Sequence, residues 1–394
     1  MNPSASGWIQ KFETLPKTNL VELYHFNMIY HHLRANGFLY GLSQVPIIDI
    51  QSEQKLSQDE IEKVNLFTAL FATYTLRHKS IDFNAFITSV LEFYKAIEVF
   101  ELSLWDKFIA GKDQKQQLER ILHEHIQIDQ NMFTKHFYKS TTNALLFIDV
   151  LGYHQFLNVN EATLSYTKSI EQGIVDITND VNVFKLKNNN ANQSNLKHVK
   201  ESLSAKETQA VNSDYRIQLE QQFSALEKQY FLDITTLSIW NPNFNNEETK
   251  QFINRFGLAL DIPKTDIIAS IKQMQLFYEQ TKDSSLFKKN NAINNFYDNT
   301  SQLVIKLIKR NSKRLVKEIS QSKELMVLLS QSTVRDLNEE EQEKVQLQLL
   351  DILKTIPSLA IFLLPGGAIL LPIFAKLIPN LLPSSFNDNK VDKP

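Results

Sequence analysis

Residues 57–74 read SQDEIEKVNLFTALFATY, and this stretch predicts a long helix. Ser57 and Glu60 have the spacing of a capping box, in which the hydroxyl accepts from a first-turn amide and the carboxylate reaches back. Apolar residues then recur at steps of three and four, which is the period of one helix face. They are Ile61, Val64, Phe67, Leu70, Phe71 and Tyr74. The stretch therefore predicts an amphipathic helix with one buried face.

The same signals occur along the rest of the chain. Ser204 with Glu207 and Asn338 with Glu341 are two further capping boxes. A second run at helical spacing comprises Ile267, Ile268, Ile271, Met274 and Phe277. Only nine glycines and eleven prolines occur in 394 residues, well below average usage. These features predict an all-α protein of multi-helix bundle domains with a C-terminal hydrophobic helical module that is broken by proline and glycine.

A polar run, KLKNNNANQSN at 185–195, predicts a break between helical domains. We expect an N-terminal helical domain at 1–184, a linker at 185–198, a second helical unit at 199–300 and a C-terminal part at 301–394. The order of helix, loop, helix, short acidic turn and helix in the second unit resembles the TerB-like fold of tellurite-resistance proteins.

The segment Ile356–Phe386 reads IPSLAIFLLPGGAILLPIFAKLIPNLLPSSF. Its first twenty residues carry no charge, which is about the length that crosses a bilayer core as a helix. The segment also holds five of the eleven prolines, and these interrupt a regular helix. We expect two short helices in a re-entrant or hairpin-like element, with a single transmembrane helix or packing into a soluble core as the alternatives. The predicted break lies at Pro365, Gly366, Gly367 and Pro372.

The pattern in this segment resembles the hydrophobic signature of the Letm family. Lys376 is followed by Leu-x-Pro-Asn-x-Leu-Pro-Ser-x-Phe, which is a specific match in a chain of this length. The resemblance is to membrane proteins of the mitochondrial inner membrane, and most closely to bacterial Letm-related biofilm-associated proteins. The signature residues are Pro365, Gly366, Gly367, Pro372, Lys376, Pro379, Asn380, Pro383, Ser384 and Phe386.

The resemblance implies a membrane-associated scaffold or an envelope or biofilm-associated factor. Its alternatives are a component of cation homeostasis or cation/proton transport, and a soluble helical adaptor or ribosome-associated factor. No stretch has the acidic ligands, glycine and glutamate of an EF-hand loop. The ribosome-binding-like domain of the family is expected to be absent, because only Asn387–Pro394 follow the signature.

Six cations without an acid between them precede the hydrophobic segment. At helical spacing they predict either a solvated face or a contact with anionic lipid or RNA. They are Lys306, Lys309, Arg310, Lys313, Arg314 and Lys317. Lys376 is expected to reach the lipid headgroups, with anion binding or ion transport as its alternative. The start Met1–Leu20 has no export signal, so we expect the cytoplasmic face of a bacterial inner membrane, or the cytoplasm.

Candidate metal ligands are grouped only around one predicted helix, as His123, Glu124, His125, Asp129 and His136. His125 and Asp129 share a face, but His123 and His125 point apart and the His-Glu-x-x-His spacing is missing. We therefore expect a solvated helix surface and no metal site.

Catalytic signals are equally few. His25, His31 and His32 stand beside aromatic residues and predict partly buried packing histidines. The chain has no cysteine, no glycine-rich phosphate loop and no nucleophile elbow. The net charge of −2 gives no general attraction to DNA. The sequence thus predicts a non-enzymatic protein with no catalytic residue, no cofactor and no DNA partner, and it leaves the protein partner open.

Overall fold

A computed structural model describes residues 1–15, 25–50, 55–78, 82–98, 113–126, 144–159, 162–188, 213–240, 247–281, 312–332 and 338–355. Every regular element in these ranges is helical, which confirms the predicted all-α fold. Short 3₁₀ turns lie at Phe38–Tyr40 and Ala144–Leu146. The α-helices are α1 (Trp8–Glu13), α2 (Phe26–Ala35), α3 (Gln58–His78), α4 (Phe83–Ala96), α5 (Gln114–Ile126), α6 (Phe147–Asn158), α7 (Thr163–Asn188), α8 (Ser213–Gln222), α9 (Ala225–Ile239), α10 (Glu247–Ala259), α11 (Lys264–Thr281), α12 (Ser312–Gln321), α13 (Lys323–Ser332) and α14 (Glu339–Thr355).

The helices group into two compact units. The first comprises Met1–Gly173 with Ser213–Leu303, and the second comprises Ile174–Asn212 with Val304–Pro394. This grouping differs from the four predicted segments, which stay a prediction. Helix α7 continues through the predicted linker start to Asn188 and buries Lys185, so the linker does not begin at residue 185. Residues 189–198 lie outside the described part.

Helix α3 lies at the centre of the first unit. Every residue from Ile61 to Tyr74 is buried, and the helix packs against α2, α4, α5 and α6. The ring of Phe67 meets those of Trp8, Phe12 and Phe86 at centroid distances of 5.2, 4.7 and 5.3 Å. The predicted helix is therefore confirmed, but the prediction of a single buried face is wrong because neighbours cover all sides.

Polar residues of α3 satisfy the backbone of the segment that precedes the helix. The carboxylate of Glu62 accepts from the Ser43 amide at 2.6 Å, the Ser43 hydroxyl at 3.0 Å and Gln58 Nε2 at 3.0 Å. Asn65 accepts from the Ile47 amide at 2.8 Å. Buried polar groups need such partners. Burial nevertheless raises the pKa of Glu62 to about 7, against the opposing effect of the Ser43 hydrogen bonds.

Two of the three predicted capping boxes form as expected. The Ser57 amide donates to Glu60 at 2.7 Å, and the Glu60 amide lies 3.4 Å from the Ser57 hydroxyl at the start of α3. Asn338 and Glu341 exchange bonds of 3.0 and 2.9 Å at the start of α14. The third predicted box lies in 201–212, outside the described residues.

Helices α9, α10 and α11 complete the first unit. Every residue of α9 from Tyr230 to Ile239 is buried, and α9 packs against both α10 and α11. Gly257 permits a close approach of α10 and α11, because a Cβ there would lie 2.6 Å from the Ile267 side chain. Of the predicted apolar face of α11, Ile267, Met274 and Phe277 are buried whereas Ile268 is exposed.

Candidate functional site in the C-terminal helices

The three helices before the hydrophobic segment pack together in the second unit. Helices α12, α13 and α14 contact one another pairwise. Their shared apolar core follows from helical spacing, since buried residues recur at steps of three and four. The core residues are Leu315, Ile319, Leu325, Leu328, Leu329, Val345 and Leu349.

Polar contacts fix the pairing of α13 with α14. The hydroxyl of Ser322 donates to Gln348 Oε1 at 2.8 Å and lies 3.3 Å from the Leu325 amide in the first turn of α13. The Gln348 amide group donates to Glu324 at 2.8 Å. Lys344 lies 3.9 Å from the same carboxylate, but both side chains are exposed and the pair contributes little.

The predicted basic run lies partly in α12. Lys317 is exposed, while Leu315 and Ile319 on the opposite side of the helix are buried. Positions 313 and 317 are one turn apart, so they share a side of α12. Lys306, Lys309 and Arg310 lie outside the described residues, as do the side chains of Lys313 and Arg314.

The predicted hydrophobic module begins directly where α14 ends, at Thr355. All ten signature residues lie outside the described residues, namely Pro365, Gly366, Gly367, Pro372, Lys376, Pro379, Asn380, Pro383, Ser384 and Phe386. Among the helices that the structure describes, none is both long enough and apolar enough to span a bilayer.

The predicted solvated surface around His123 and His125 is wrong. His125 Nε2 lies 2.7 Å from Asp149 Oδ2 on α6, with the His125 side chain 10% exposed and that of Asp149 fully buried. His123 Nδ1 lies 2.9 Å from Nζ of Lys63 on α3. Asp129 and His136 lie outside the described residues, within which no three potential ligands converge on a metal position.

The prediction of partly buried packing histidines at the start of α2 and within it is also wrong. His25, His31 and His32 are all exposed, and the ring of His31 touches the edge of Tyr30. Partial desolvation, followed by the charge of Arg34, lowers the pKa of His31. A different histidine packs against this helix, because the His154 ring stacks on Phe26 at a centroid distance of 4.0 Å.

A buried polar cluster that the sequence patterns do not predict surrounds Asp233. Its Oδ1 accepts from Arg34 Nη2 at 2.9 Å and from the Ser270 hydroxyl, while its Oδ2 accepts from the Tyr30 hydroxyl. Burial, and then the charge of Asp233, raises the pKa of Tyr30 well above its ordinary value, and the same causes raise that of Tyr40. A lone acid in the apolar run Tyr230–Ile234 is the signal that marks this site.

The comparisons with known proteins bear on the C-terminal part. Residues 337–393 match the family described as LETM1-like, RBD, and this match relates that part of the chain to the Letm family. The matched range includes both α14 and the hydrophobic signature. The predicted absence of the ribosome-binding-like domain is therefore wrong, since the signature lies inside the match to that domain.

No curated protein and no solved structure matches the chain. The TerB-like resemblance of 199–300 stays a prediction.

Proposed function

We propose, from the Letm relationship of residues 337–393, that the chain is a non-enzymatic, membrane-associated helical scaffold or an envelope or biofilm-associated factor. It acts at the cytoplasmic face of a bacterial inner membrane. The observation that carries the proposal is the coincidence of this match with the uncharged stretch Ile356–Ala375. That stretch has the length and composition of a bilayer-inserted segment.

The helices before the segment support this reading. Helix α14 runs to Thr355, the residue directly before the uncharged stretch in the sequence. On α12, Leu315 and Ile319 are buried and Lys317 is exposed, so Lys317 is available to meet an anionic surface. A basic helix next to an apolar segment is typical of proteins that bind anionic membranes.

Membrane fractionation tests the proposal on the full chain. Replacing Ile369 and Leu370 by Glu places two charges in the apolar stretch, each unfavourable by roughly 3 kcal/mol at the centre of a bilayer. We expect the native chain to remain in the membrane pellet after a carbonate wash and the variant to be extracted. A chain ending at Thr355 should behave like the variant.

Leu258 and Ile268 provide the matched control, since both are exposed on helices of the first unit. Replacing them by Glu adds the same two charges away from the apolar stretch and should leave the pellet fraction unchanged. Equal fractionation of the native chain and the Ile369/Leu370 variant would contradict membrane association through this segment.

A ribosome-associated factor is the second candidate function. It is favoured by the match of residues 337–393 to a family described as an RBD. Co-sedimentation of the full chain with ribosomes in the absence of membranes distinguishes the two functions. If the full chain sediments with ribosomes and the chain ending at Thr355 does not, the ribosome is favoured. If the full chain pellets with membranes but does not sediment with ribosomes, the first proposal is favoured. Cation transport has no supporting contact among the described residues, and we do not propose it.

A further inference from the structure

Ionisable side chains of α5 contact its neighbours in the first unit, alongside a hydrogen bond of 3.0 Å from the Thr88 hydroxyl of α4 to Gln114 Oε1. Lys115 pairs with Glu13 of α1 at 2.7 Å, and Glu119 accepts from the amides of Gly7 and Ile9 at 2.9 and 2.8 Å. Two further contacts join His123 to Lys63 of α3 and His125 to Asp149 of α6. The apolar anchors of the helix are Leu118, Ile121, Leu122 and Ile126.

The contact between Lys63 and His123 has a defined direction. Lys63 is only 1% exposed, and an ammonium group can donate hydrogen bonds but cannot accept them. While Lys63 is an ammonium, His123 Nδ1, at 2.9 Å from Lys63 Nζ, is the acceptor, and a histidine ring nitrogen accepts only when the imidazole is neutral. A second proton on the ring would place two positive charges at this distance, which is repulsive where water is largely excluded.

We propose that Lys63 and His123 form a proton-sensitive contact through which mild acid loosens α5, and with it α1, from the rest of the first unit. Histidine is the side chain whose ordinary titration falls in the mildly acidic range. The contact is made with the neutral ring at neutral pH and is lost when the ring gains a proton.

The other charged groups that face α5 act in different directions. From α3, Asp59 and Glu60 raise the pKa of Lys63, but desolvation by burial is larger and lowers it overall. From α6, Asp149 Oδ2 lies 2.7 Å from His125 Nε2, a contact in which the ring donates in its neutral and its charged form, and from α4 the Tyr94 hydroxyl lies 3.3 Å from the same carboxylate. Acid therefore weakens the attachment to α3 and leaves the attachment to α6 intact.

Helix α1 depends on α5 for its cap. The N-cap position of α1 is Gly7, which offers no side chain, and the Glu119 carboxylate of α5 takes the free amides of Gly7 and Ile9. Such amides need an acceptor at a helix start. Movement of α5 removes both this acceptor and the Lys115–Glu13 ion pair. The ring contacts of Trp8 and Phe12 with Phe67 should then weaken.

Hydrogen exchange of the full chain tests the inference. The protection of amides in 114–126 is compared with that of 225–239 in α9, so that general acid destabilisation cancels. The measured quantity is the protection factor in 114–126 divided by that in 225–239. In the native chain we expect this ratio to fall about tenfold between about pH 7.5 and about pH 5.5, the range in which histidine titrates. A tenfold change corresponds to one pKa unit of differential protonation. An unchanged native ratio would overturn the proposal.

Two variants locate the effect, and each decides alone if the other fails to fold. His123→Gln retains an acceptor for Lys63 but cannot gain a proton, and Lys63→Gln retains a donor for His123 but carries no charge. In both variants, the protection ratio should fall much less on acidification than it does in the native chain. His154→Gln on α6 removes a histidine elsewhere and should keep the native fall. A fall of native size in the first two variants would assign the effect to other groups. Fractionation with membranes is a separate measurement, so the two proposals fail independently.

Discussion

At the scale of single residues, Asp233 is the clearest case of a buried charge that organises its surroundings. It is fully buried on α9, yet it has partners from α2 and α11, so one carboxylate ties three helices together. A buried charge is tolerated only when it is paired and hydrogen-bonded. The cluster therefore fixes which sides of these helices meet.

Asp233→Asn should lower the free energy of unfolding by about 3 kcal/mol, because it leaves the buried charge of Arg34 without its counter-charge. Urea denaturation measures the change. Asp261→Asn is the matched control, since Asp261 is exposed and its positive φ of 57° suits Asn as well. The control should change stability by less than about 0.5 kcal/mol. Equal effects in both variants would mean that the cluster adds no net stability.

Glu62 predicts a pH dependence of stability. Burial raises its pKa from an ordinary value of 4.5 to about 7, so the folded state binds the proton more tightly than the unfolded state. The contribution is complete below about pH 4.5 and is lost as the pH rises through about 7. The free energy of unfolding should therefore decline by roughly 1–3 kcal/mol as the pH rises. Glu62→Gln resembles the neutral acid and should remove most of this decline.

Urea denaturation at a series of pH values gives the comparison. Glu92→Gln, an exposed change on α4, serves as the control and should retain the native profile. If Glu62→Gln also follows the native profile, Glu62 is already ionised in the folded state across this range.

The sequence predicts the burial of the apolar residues of α3 better than the burial of its charged residues. Ile61, Val64 and Phe67 carry the helical period and are buried as expected. Glu62 and Lys63 belong to the side that the period assigns to solvent, but α3 is covered on every side. Their partners Ser43 and His123 lie 19 and 60 residues away, and local pattern contains no information on such contacts.

At the scale of elements, helix starts were predicted where a side chain chemically marks them. The boxes at Ser57 and Asn338 lie within one residue of the observed starts of α3 and α14. The linker predicted from residue 185 begins too early, since α7 continues through the polar residues from Lys185 to Asn188. Composition indicates low apolar content, but it does not define the last hydrogen-bonded turn.

Ser57→Ala should destabilise the protein by about 1 kcal/mol, because it removes the hydroxyl that faces the first turn of α3. The central position of α3 means that the loss should appear in global unfolding. Ser165→Ala in α7 is the control, since its exposed hydroxyl bonds only a nearby carbonyl at 2.9 Å. That change should lie within about 0.5 kcal/mol. A similarly small effect of Ser57→Ala would show that Glu60 alone caps the helix.

At the scale of the whole molecule, six cations at 306–317 precede the uncharged stretch Ile356–Ala375. Replacing Lys306, Lys309, Arg310, Lys313, Arg314 and Lys317 by Gln should weaken binding of the full chain to anionic vesicles. Each cation near such a surface contributes about 1 kcal/mol, and salt screens this attraction. The difference from the native chain should therefore shrink between about 50 mM and about 300 mM salt.

Vesicle co-sedimentation measures this binding, and a variant with the same change of charge is the control. It replaces six cations that are exposed in the first unit, namely Lys11, Lys55, Lys95, Arg255, Lys264 and Lys272. The control should bind like the native chain. Equal weakening by both variants would indicate a general charge effect instead of a local basic surface.

The topology of the hydrophobic segment is the remaining question at this scale. Pro365 and Pro372 are seven residues apart, and each disfavours a regular helix by roughly 3 kcal/mol. Gly366 and Gly367 relax the backbone between them. A segment broken there should form two short helices and return both of its ends to one side of the membrane.

Labelling of single cysteines tests this prediction cleanly, because the chain has no cysteine of its own. Cysteines placed at Ser332 and at Asn389 flank the segment, and a third at exposed Ser165 reports the side of the helical body. An impermeant reagent should label all three from the same face in sealed membranes. Labelling of the Asn389 position from the opposite face would establish a full crossing. Replacing Pro365 and Pro372 by Leu, with both glycines changed to Ala, should convert the native pattern into that crossing, because a continuous helix of this length spans the bilayer core.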